Sequence, residues 1–525
     1  MTEPQIWPRS PALAALLALL SGLLLTLPFL DFSLAPLAWI CLVPLILAVS
    51  FRPVRAGAAL GLLAGGVFGF IGVHWLRAVT GLGYSILALY LAVYWAFWGG
   101  WISVLSWRRP GWLWWAAPAG LVALEFLRSH LFTGFPWNLL GVSQALNTPV
   151  IQVSAWTAVY GVSFLVALVN AALAQFLLSG RIAAGSLVRR FFPPAAALVL
   201  VGFSEAYGRW ELKKASITPA PPSLNLCLVQ GGISQDLKWD PALAGRHFAA
   251  YLRLTRETFP THPGLVLWPE SAVPYYIEEE GEVRRLLKGV CAEGRLHLLL
   301  GGDARERVGA PAGPVKDRYR YFNSAYLFDP EGEIVGRYDK IHLVPYGEYV
   351  PLRRFFPFVR RMVPWDDDFS SGARPSLLSI GSGPPLAVLI CYEDIFPNLV
   401  REFTRRGAGL LANVTNDAWY GRTSAPFQHA YAALFRAVEN RVYLARSTNT
   451  GYSCVIDPWG RIVAEVRDGG GETLFIQGST TAAISPRPAS SFYCRHGDLF
   501  AWLCVIFSLA AMIIIWRGKR QAAAA

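Results

Sequence analysis

Charge is scarce in this chain. Only 16% of its 525 residues are Asp, Glu, Lys or Arg, against 54% hydrophobic residues. So little charge excludes a solvated, disordered polymer, and the mean hydropathy of +0.37 points to a membrane protein with a sizeable soluble part. Cysteine is sparse and scattered. Positions 41, 227, 291, 391, 454, 494 and 504 form no CxxC pair and join no His/Cys cluster with zinc-ligand spacing. A disulfide framework and a metal centre are therefore not expected, and Cys391 is expected to be a free thiol. Neither an internal repeat nor a glycine-rich phosphate loop is present, so no nucleotide cofactor is expected.

What is abundant is apolar runs. Up to about residue 207 they recur at lengths near the roughly 20 residues that cross a bilayer. Spans are expected near 11–30, 33–50, 57–76, 83–106, 111–128, 151–179 and 191–207, with another near 498–516. The first run lacks a clear cleavage site and is followed at once by another, so it reads as a retained helix rather than a signal peptide. The net charge of +12 could suggest a nucleic-acid partner. However, Arg9, Arg52, Arg55, Arg108, Arg109, Arg181, Arg189, Arg190, Arg517, Lys519 and Arg520 fall on alternate connectors and the two tails. That is the positive-inside pattern, and it puts both termini in the cytoplasm and the long segment from 208 to 495 on the outer face. The expected division is a membrane domain over 1–207, an extramembrane domain over 208–495, and a final span with a cytoplasmic tail over 496–525. Glu125 and Arg128 sit one helical turn apart at the end of an apolar run; they read equally as a functional intramembrane pair and as an interfacial ion pair.

The extramembrane segment alternates strands, expected at 224–229, 264–268, 296–301, 324–328, 386–390, 410–414 and 443–447, with helices at 242–258, 282–292, 396–406 and 427–440. That alternation describes a layered α/β domain. An aromatic, basic insertion over 353–376 reads as a lid that contacts lipid. Three strand ends carry reactive groups. One is Val266-Leu267-Trp268-Pro269-Glu270-Ser271; the second is Tyr338-Asp339-Lys340-Ile341-His342; the third is Leu389-Ile390-Cys391-Tyr392-Glu393-Asp394. Taken singly, each has a plain reading: a helix cap, a surface lysine, a small buried hydrophobe. Together they supply the nucleophile, base and positive group that acyl transfer through a thiol requires.

These stretches resemble the Glu-Lys-Cys motifs of the nitrilase (carbon–nitrogen hydrolase) superfamily. Gly347-Glu348-Tyr349-Val350-Pro351 is more particular, as are Asn413-Val414-Thr415-Asn416-Asp417-Ala418-Trp419-Tyr420-Gly421, Gln428-His429, Arg436 to Asn440, and Thr448-Asn449-Thr450-Gly451. With the flanking spans, they resemble the apolipoprotein N-acyltransferase family of the bacterial inner membrane. The resemblance implies an αββα nitrilase-like domain on a multi-span helical membrane domain. It implies Glu270 as general base, Lys340 as oxyanion stabiliser and Cys391 as nucleophile, with Glu348, Tyr392 and Glu393 supporting them and Trp137 and Trp239 near the substrate path. The implied acyl donor is a membrane phospholipid and the acceptor a diacylglyceryl apolipoprotein, through a thioester and without a cofactor. The competing reading is a membrane-tethered amidase or nitrilase with water as acceptor; the triad serves both. Ser424-Ala425-Pro426 departs from the family's usual Gly-Pro and leaves only that loop's shape in doubt.

Overall fold

The computed structural model describes residues 10–182, 187–217, 221–238, 240–308, 319–350, 368–381 and 383–524. The chain forms two compact units, Met1–Ile217 with His496–Ala525, and Thr218–Arg495.

The first unit is helical. Among the described residues, seven helices are long and apolar enough to cross a membrane: Pro11–Leu30, Phe32–Val49, Val54–Gly72, Gly81–Arg108, Val159–Ser179, Leu187–Ile217 and Leu499–Gly518. The run expected over 151–179 breaks into short helical turns and becomes continuous only at Val159, because Ala158 adopts φ +53. An eighth helix, Leu113–His130, carries Glu125 and Arg128, both buried. Helix Val54–Gly72 packs on Gly81–Arg108 through glycines spaced four apart. A Cβ at Gly57 would meet the Gly99 carbonyl oxygen at 2.9 Å, one at Gly61 the Trp95 oxygen at 2.2 Å, and one at Gly69 the Ala88 oxygen at 2.6 Å. Without side chains on that stripe the backbones touch, which is how helices associate where lipid removes the hydrophobic driving force.

The Glu125 and Arg128 side chains turn to backbone rather than standing as an exposed interfacial pair. Glu125 Oε1 accepts from Leu140 N at 2.6 Å, and Arg128 Nη2 donates to Trp137 O at 3.2 Å. They clamp the loop that follows their own helix. Trp137 at its centre is 1% exposed, with its ring centroid 5.0 Å from that of Trp75, so it is a packed side chain of the helical unit.

The second unit stacks two six-stranded sheets. Its strands are β1 Leu224–Gln230, β2 Leu265–Leu267, β3 His297–Arg307, β4 Tyr319–Phe328, β5 Ile334–Asp339, β6 Leu377–Leu378, β7 Leu386–Ile390, β8 Leu410–Thr415, β9 Tyr443–Thr448, β10 Cys454–Ile456, β11 Ile462–Glu465 and β12 Gly478–Ile484. The sheet orders are β12-β1-β2-β3-β4-β5 and β11-β10-β9-β8-β7-β6. Within them β1, β2 and β3 run parallel, as do β7, β8 and β9. β2, β7 and β8 are short, apolar and buried throughout, as strands covered on both faces are. Ser447 on β9 donates across the sandwich to the carbonyls of Val229 and Leu267. Helices Ala244–Glu257 and Gly281–Gly294 pack together on the first sheet's side, and Pro397–Arg405 and Ala425–Asn440 on the second's, which completes the αββα layering. The insertion expected over 353–376 falls mostly outside the described residues. Its end returns as a bridge between Phe369 and Tyr321.

Candidate active site

Parallel strands place their carboxyl ends along one edge of a sheet, and the turns beyond them form the usual crevice for ligands. Here β2 leads into Glu270, β5 into Lys340 and β7 into Cys391. β5 is antiparallel to β4, and β4 to β3, so β5 ends on the same edge as β2. All three candidate side chains are buried, Cys391 at 7% exposure and Lys340 at 1%.

The turns are strained where chemistry would occur. Cys391 (φ +53) and Ser271 (φ +47), the residue after Glu270, lie in the left-handed region without being glycine. Strain of this kind persists only where surrounding contacts over-determine it. At Cys391 those contacts are visible. Asn413 Nδ2 donates to the Cys391 carbonyl at 3.1 Å and the Leu389 carbonyl at 3.2 Å. Arg446 holds Asn413 Oδ1 at 2.8 Å and also binds Asp394, in the cysteine's own turn, and Asp417, at 2.6 and 2.8 Å. His429 bridges the same two carboxylates, Nε2 to Asp394 at 2.8 Å and Nδ1 to Asp417 at 2.9 Å. Burial and Arg446 pull the His429 imidazole down, but Asp394 and Asp417 outweigh them and hold it above its ordinary value. The motifs downstream of Cys391 thus close into one buried network beneath it.

Glu270 and Glu348 share a donor that the sequence reading missed. Asn323 Nδ2 donates to Oε1 of each, at 2.7 Å in both cases. The second oxygen of Glu270 accepts from Asn416 N at 2.9 Å, and that of Glu348 from Val344 N at 2.8 Å. Lys340 Nζ lies 2.9 Å from Glu348 and 3.8 Å from Glu270. Burial alone would lower the Lys340 ammonium, but Glu348 and then Glu270 reverse this and hold it above its usual value. The Cys391 thiol is pushed above its usual value, by burial first and the Glu270 carboxylate second, with Lys340 pulling the other way. The resting arrangement is therefore a neutral thiol beside a hydrogen-bonded carboxylate and a permanent ammonium. Such a site can transfer the thiol proton to a carboxylate as sulfur attacks, and stabilise the oxyanion that results.

Glu393 is placed differently from Glu270 and Glu348. Its carboxylate accepts from Tyr338 OH, Ile341 N, His342 N and Ile390 N, at 2.8 to 3.0 Å. It braces the Lys340 loop against the end of β7. Tyr392 is buried against Phe396 and His342, with ring centroids 5.0 and 5.9 Å away. Trp137 belongs to the helical unit, and Trp239 lies outside the described residues. The missed residues carried faint signals. Asn323 precedes the apolar run expected as a strand by one position, and Lys238 sits inside the Asp236-Leu237-Lys238-Trp239-Asp240 stretch, where a lysine between acids reads as surface charge.

Comparison with known proteins agrees with this architecture. Residues 230–482 match the carbon-nitrogen hydrolase family, and residues 21–172 match the apolipoprotein N-acyltransferase N-terminal domain. An apolipoprotein N-acyltransferase of Geobacter metallireducens is 38% identical over 96% of this chain and 95% of that protein. Those of Methylococcus capsulatus (34%; 92% of this chain, 93% of that protein) and Rhodopseudomonas palustris (31%; 96% and 95%) are similar over nearly as much or as much. With its helical and α/β regions both matched, in order and almost end to end, the chain belongs to the apolipoprotein N-acyltransferase family.

Proposed function

We propose that the protein transfers a fatty acyl chain from a membrane phospholipid to the free α-amine of a lipoprotein's N-terminal diacylglyceryl-cysteine. The observation that carries this reading is the extent of the similarity. It runs through the helical unit as well as the α/β unit, whereas hydrolysis of a soluble amide would call for the latter alone.

In the first half-reaction Cys391 Sγ attacks the ester carbonyl while Glu270 accepts the thiol proton. Lys340, and the backbone around it, faces the developing oxyanion. The C–O bond then breaks, the proton passes from Glu270 to the leaving alkoxide, and lysophospholipid departs from a Cys391 thioester. In the second half-reaction the α-amine attacks the thioester, Glu270 takes the amine's proton, and the C–S bond breaks to regenerate the thiol. Thioester to amide runs downhill, so neither step calls for an external energy source. Asn323 holds Glu270 and Glu348 in register, and Glu348 keeps Lys340 charged.

Both proposed substrates are anchored in a bilayer. The helical unit then serves to admit them laterally, and the inner membrane with the α/β unit on the periplasmic face is the proposed location. We propose further that helix Leu113–His130 crosses as well, giving eight crossings and both termini in the cytoplasm. The test is purified protein in mixed micelles with a phospholipid and a synthetic diacylglyceryl-cysteine peptide. The expected product is the peptide heavier by one acyl chain. Release of free fatty acid with no acylated peptide would instead establish a membrane-tethered hydrolase that uses water.

A further inference from the structure

Lys340 cannot by itself balance the negative charge gathered around Cys391. Its ammonium is committed to Glu348 at 2.9 Å and lies 3.8 Å from Glu270. A third carboxylate, Asp303, sits on β3 directly opposite Asn323 in the β3–β4 register, and so belongs to the same acidic neighbourhood. Glu270 and Glu348 share the Lys340 ammonium, and Asp303 adds a third carboxyl group beside them, before the thiol ionises.

A second cation is present. Lys238 ends the short helix Gln235–Lys238, is 5% exposed, and donates from Nζ to the main-chain oxygen of Glu270 at 2.9 Å. The segment that carries it is tied into the site. Asn449 binds both the N–H and the carbonyl of Ile233, at 3.1 and 2.7 Å, and Gln235 accepts from Asn416 at 3.1 Å. Asn416 is the residue whose N–H binds the Glu270 carboxylate. A cavity of about 260 Å³ opens beside this lysine, lined by Lys238, Asp240, Ser271, Tyr275, Tyr276 and Asp303 among others. The groups whose charge Lys238 feels are Glu270 first, then Asp303 and Cys391. Asp240 shares the cavity, and His247 on the helix Ala244–Glu257 feels Lys238 from the other side.

We propose that Lys238 is a positioning residue of the reaction: it fixes the backbone of Glu270, and its charge offsets the Glu270 and Asp303 carboxylates so that negative charge can develop on Cys391. The inference rests on the acyl-transfer reading for its purpose but not for its physics. Burial lowers the Lys238 ammonium to about 8, with Glu270, Asp303 and Cys391 opposing the shift. Asp303 is raised to about 7, by burial first and then by Glu270, with Lys238 acting against both. Lys238 is therefore charged at neutral pH and loses its charge within the range in which the enzyme can be assayed.

The test is the pH dependence of Cys391 alkylation by iodoacetamide in the full-length protein, followed on the Cys391 peptide by mass spectrometry. It needs no substrate. In the wild type the rate should rise less than tenfold per pH unit from about 7 to 9, because the Lys238 charge fades over that interval. Lys238→Met and Lys238→Gln should be about tenfold slower at pH 7 and should lack the inflection that Lys238 gives near 8, keeping only the one that Asp303 contributes. Lys238→Arg should keep the wild-type rate at pH 7 and also lack the inflection. If the methionine variant does not fold, the glutamine variant, which keeps a donor for the Glu270 carbonyl, carries the comparison. A folded neutral variant with the wild-type profile overturns the proposal, whatever its acyl-transfer activity. Acyl transfer by the wild type is measured on the same preparation; its absence would strike the proposed function and leave the alkylation comparison standing.

Discussion

Asn323 shows how much a single uncharged side chain can carry. It holds one oxygen of Glu270 and one of Glu348 with a single amide nitrogen, so the proposed base and the partner of Lys340 are aligned by one group. Replacement by leucine leaves two buried carboxylate oxygens without that donor. Acyl-enzyme formation should fall about 100-fold, as expected for a misplaced catalytic group, while stability falls by only about 1–3 kcal/mol. Single-turnover acylation and thermal melting on the same sample check both numbers. Glu270 and Cys391 stand out in the sequence because each follows an apolar run and bears a reactive group, and Lys340 because of the motif it opens; the structure brings the three side chains into one neighbourhood. Asn323 and Lys238 do not stand out, since an amide and a lysine have many ordinary uses. Only the fold shows that β4 carries the first between two acids and that a one-turn helix directs the second inward.

At the scale of elements, the turn at Cys391 depends on buried charge. Arg446, His429, Asp394 and Asp417 pair among themselves with no exposed member. Removing one partner from such a group leaves a buried charge uncompensated, at a cost of about 3–5 kcal/mol. His429→Leu should therefore lower the melting temperature sharply. The sign with pH follows from the raised imidazole. A group whose folded value is raised contributes its stability fully below its unfolded value, near 6.5, and loses it as pH climbs through the folded value. Wild-type stability should thus include a component that declines on raising the pH above about 6.5, and His429→Leu should lack it. Melting curves across pH test this directly.

The helix pair of the first unit gives a second prediction at this scale. Gly61→Leu must push Trp95 backbone away and should destabilise by about 1–3 kcal/mol or more, whereas Gly66→Ala, where a Cβ meets nothing within 4 Å, should be neutral. Hydropathy located these helices but not the break at Ala158. The strands β5, β10, β11 and β12 also escaped the sequence reading. Val335 and Val463 are exposed, and β12, Gly478–Ile484, is largely small and polar, so β5, β11 and β12 lack the continuous apolar run that marks β7 or β8, while β10 is apolar but only three residues long.

For the whole molecule, the proposed function assigns substrate access to the helical unit and chemistry to the α/β unit. The orientation proposed for them depends on helix Leu113–His130 crossing the membrane. Single cysteines introduced into a cysteine-free variant at Glu331 and at Arg517 separate the possibilities. A membrane-impermeant maleimide applied to spheroplasts should label the first and not the second. Labelling of Arg517→Cys would mean that helix Leu499–Gly518 does not cross and would refute the arrangement, and labelling of a cysteine placed at Ser10 would mean that Leu113–His130 does not cross. The alternation of basic connectors is what the proposed topology rests on, since that bias is set by membrane insertion and not by packing.

The central claim is that Cys391 carries the acyl chain, and the most direct measurement is the intact mass of the purified protein after incubation with phospholipid, wild type beside Cys391→Ala. The wild type should gain the mass of one fatty acyl group, hydroxylamine should remove it, and a diacylglyceryl peptide should discharge it onto its own amine. The Cys391→Ala variant should gain nothing. A wild type that stays unmodified with every phospholipid, or an alanine variant that acquires the same adduct, would contradict the account.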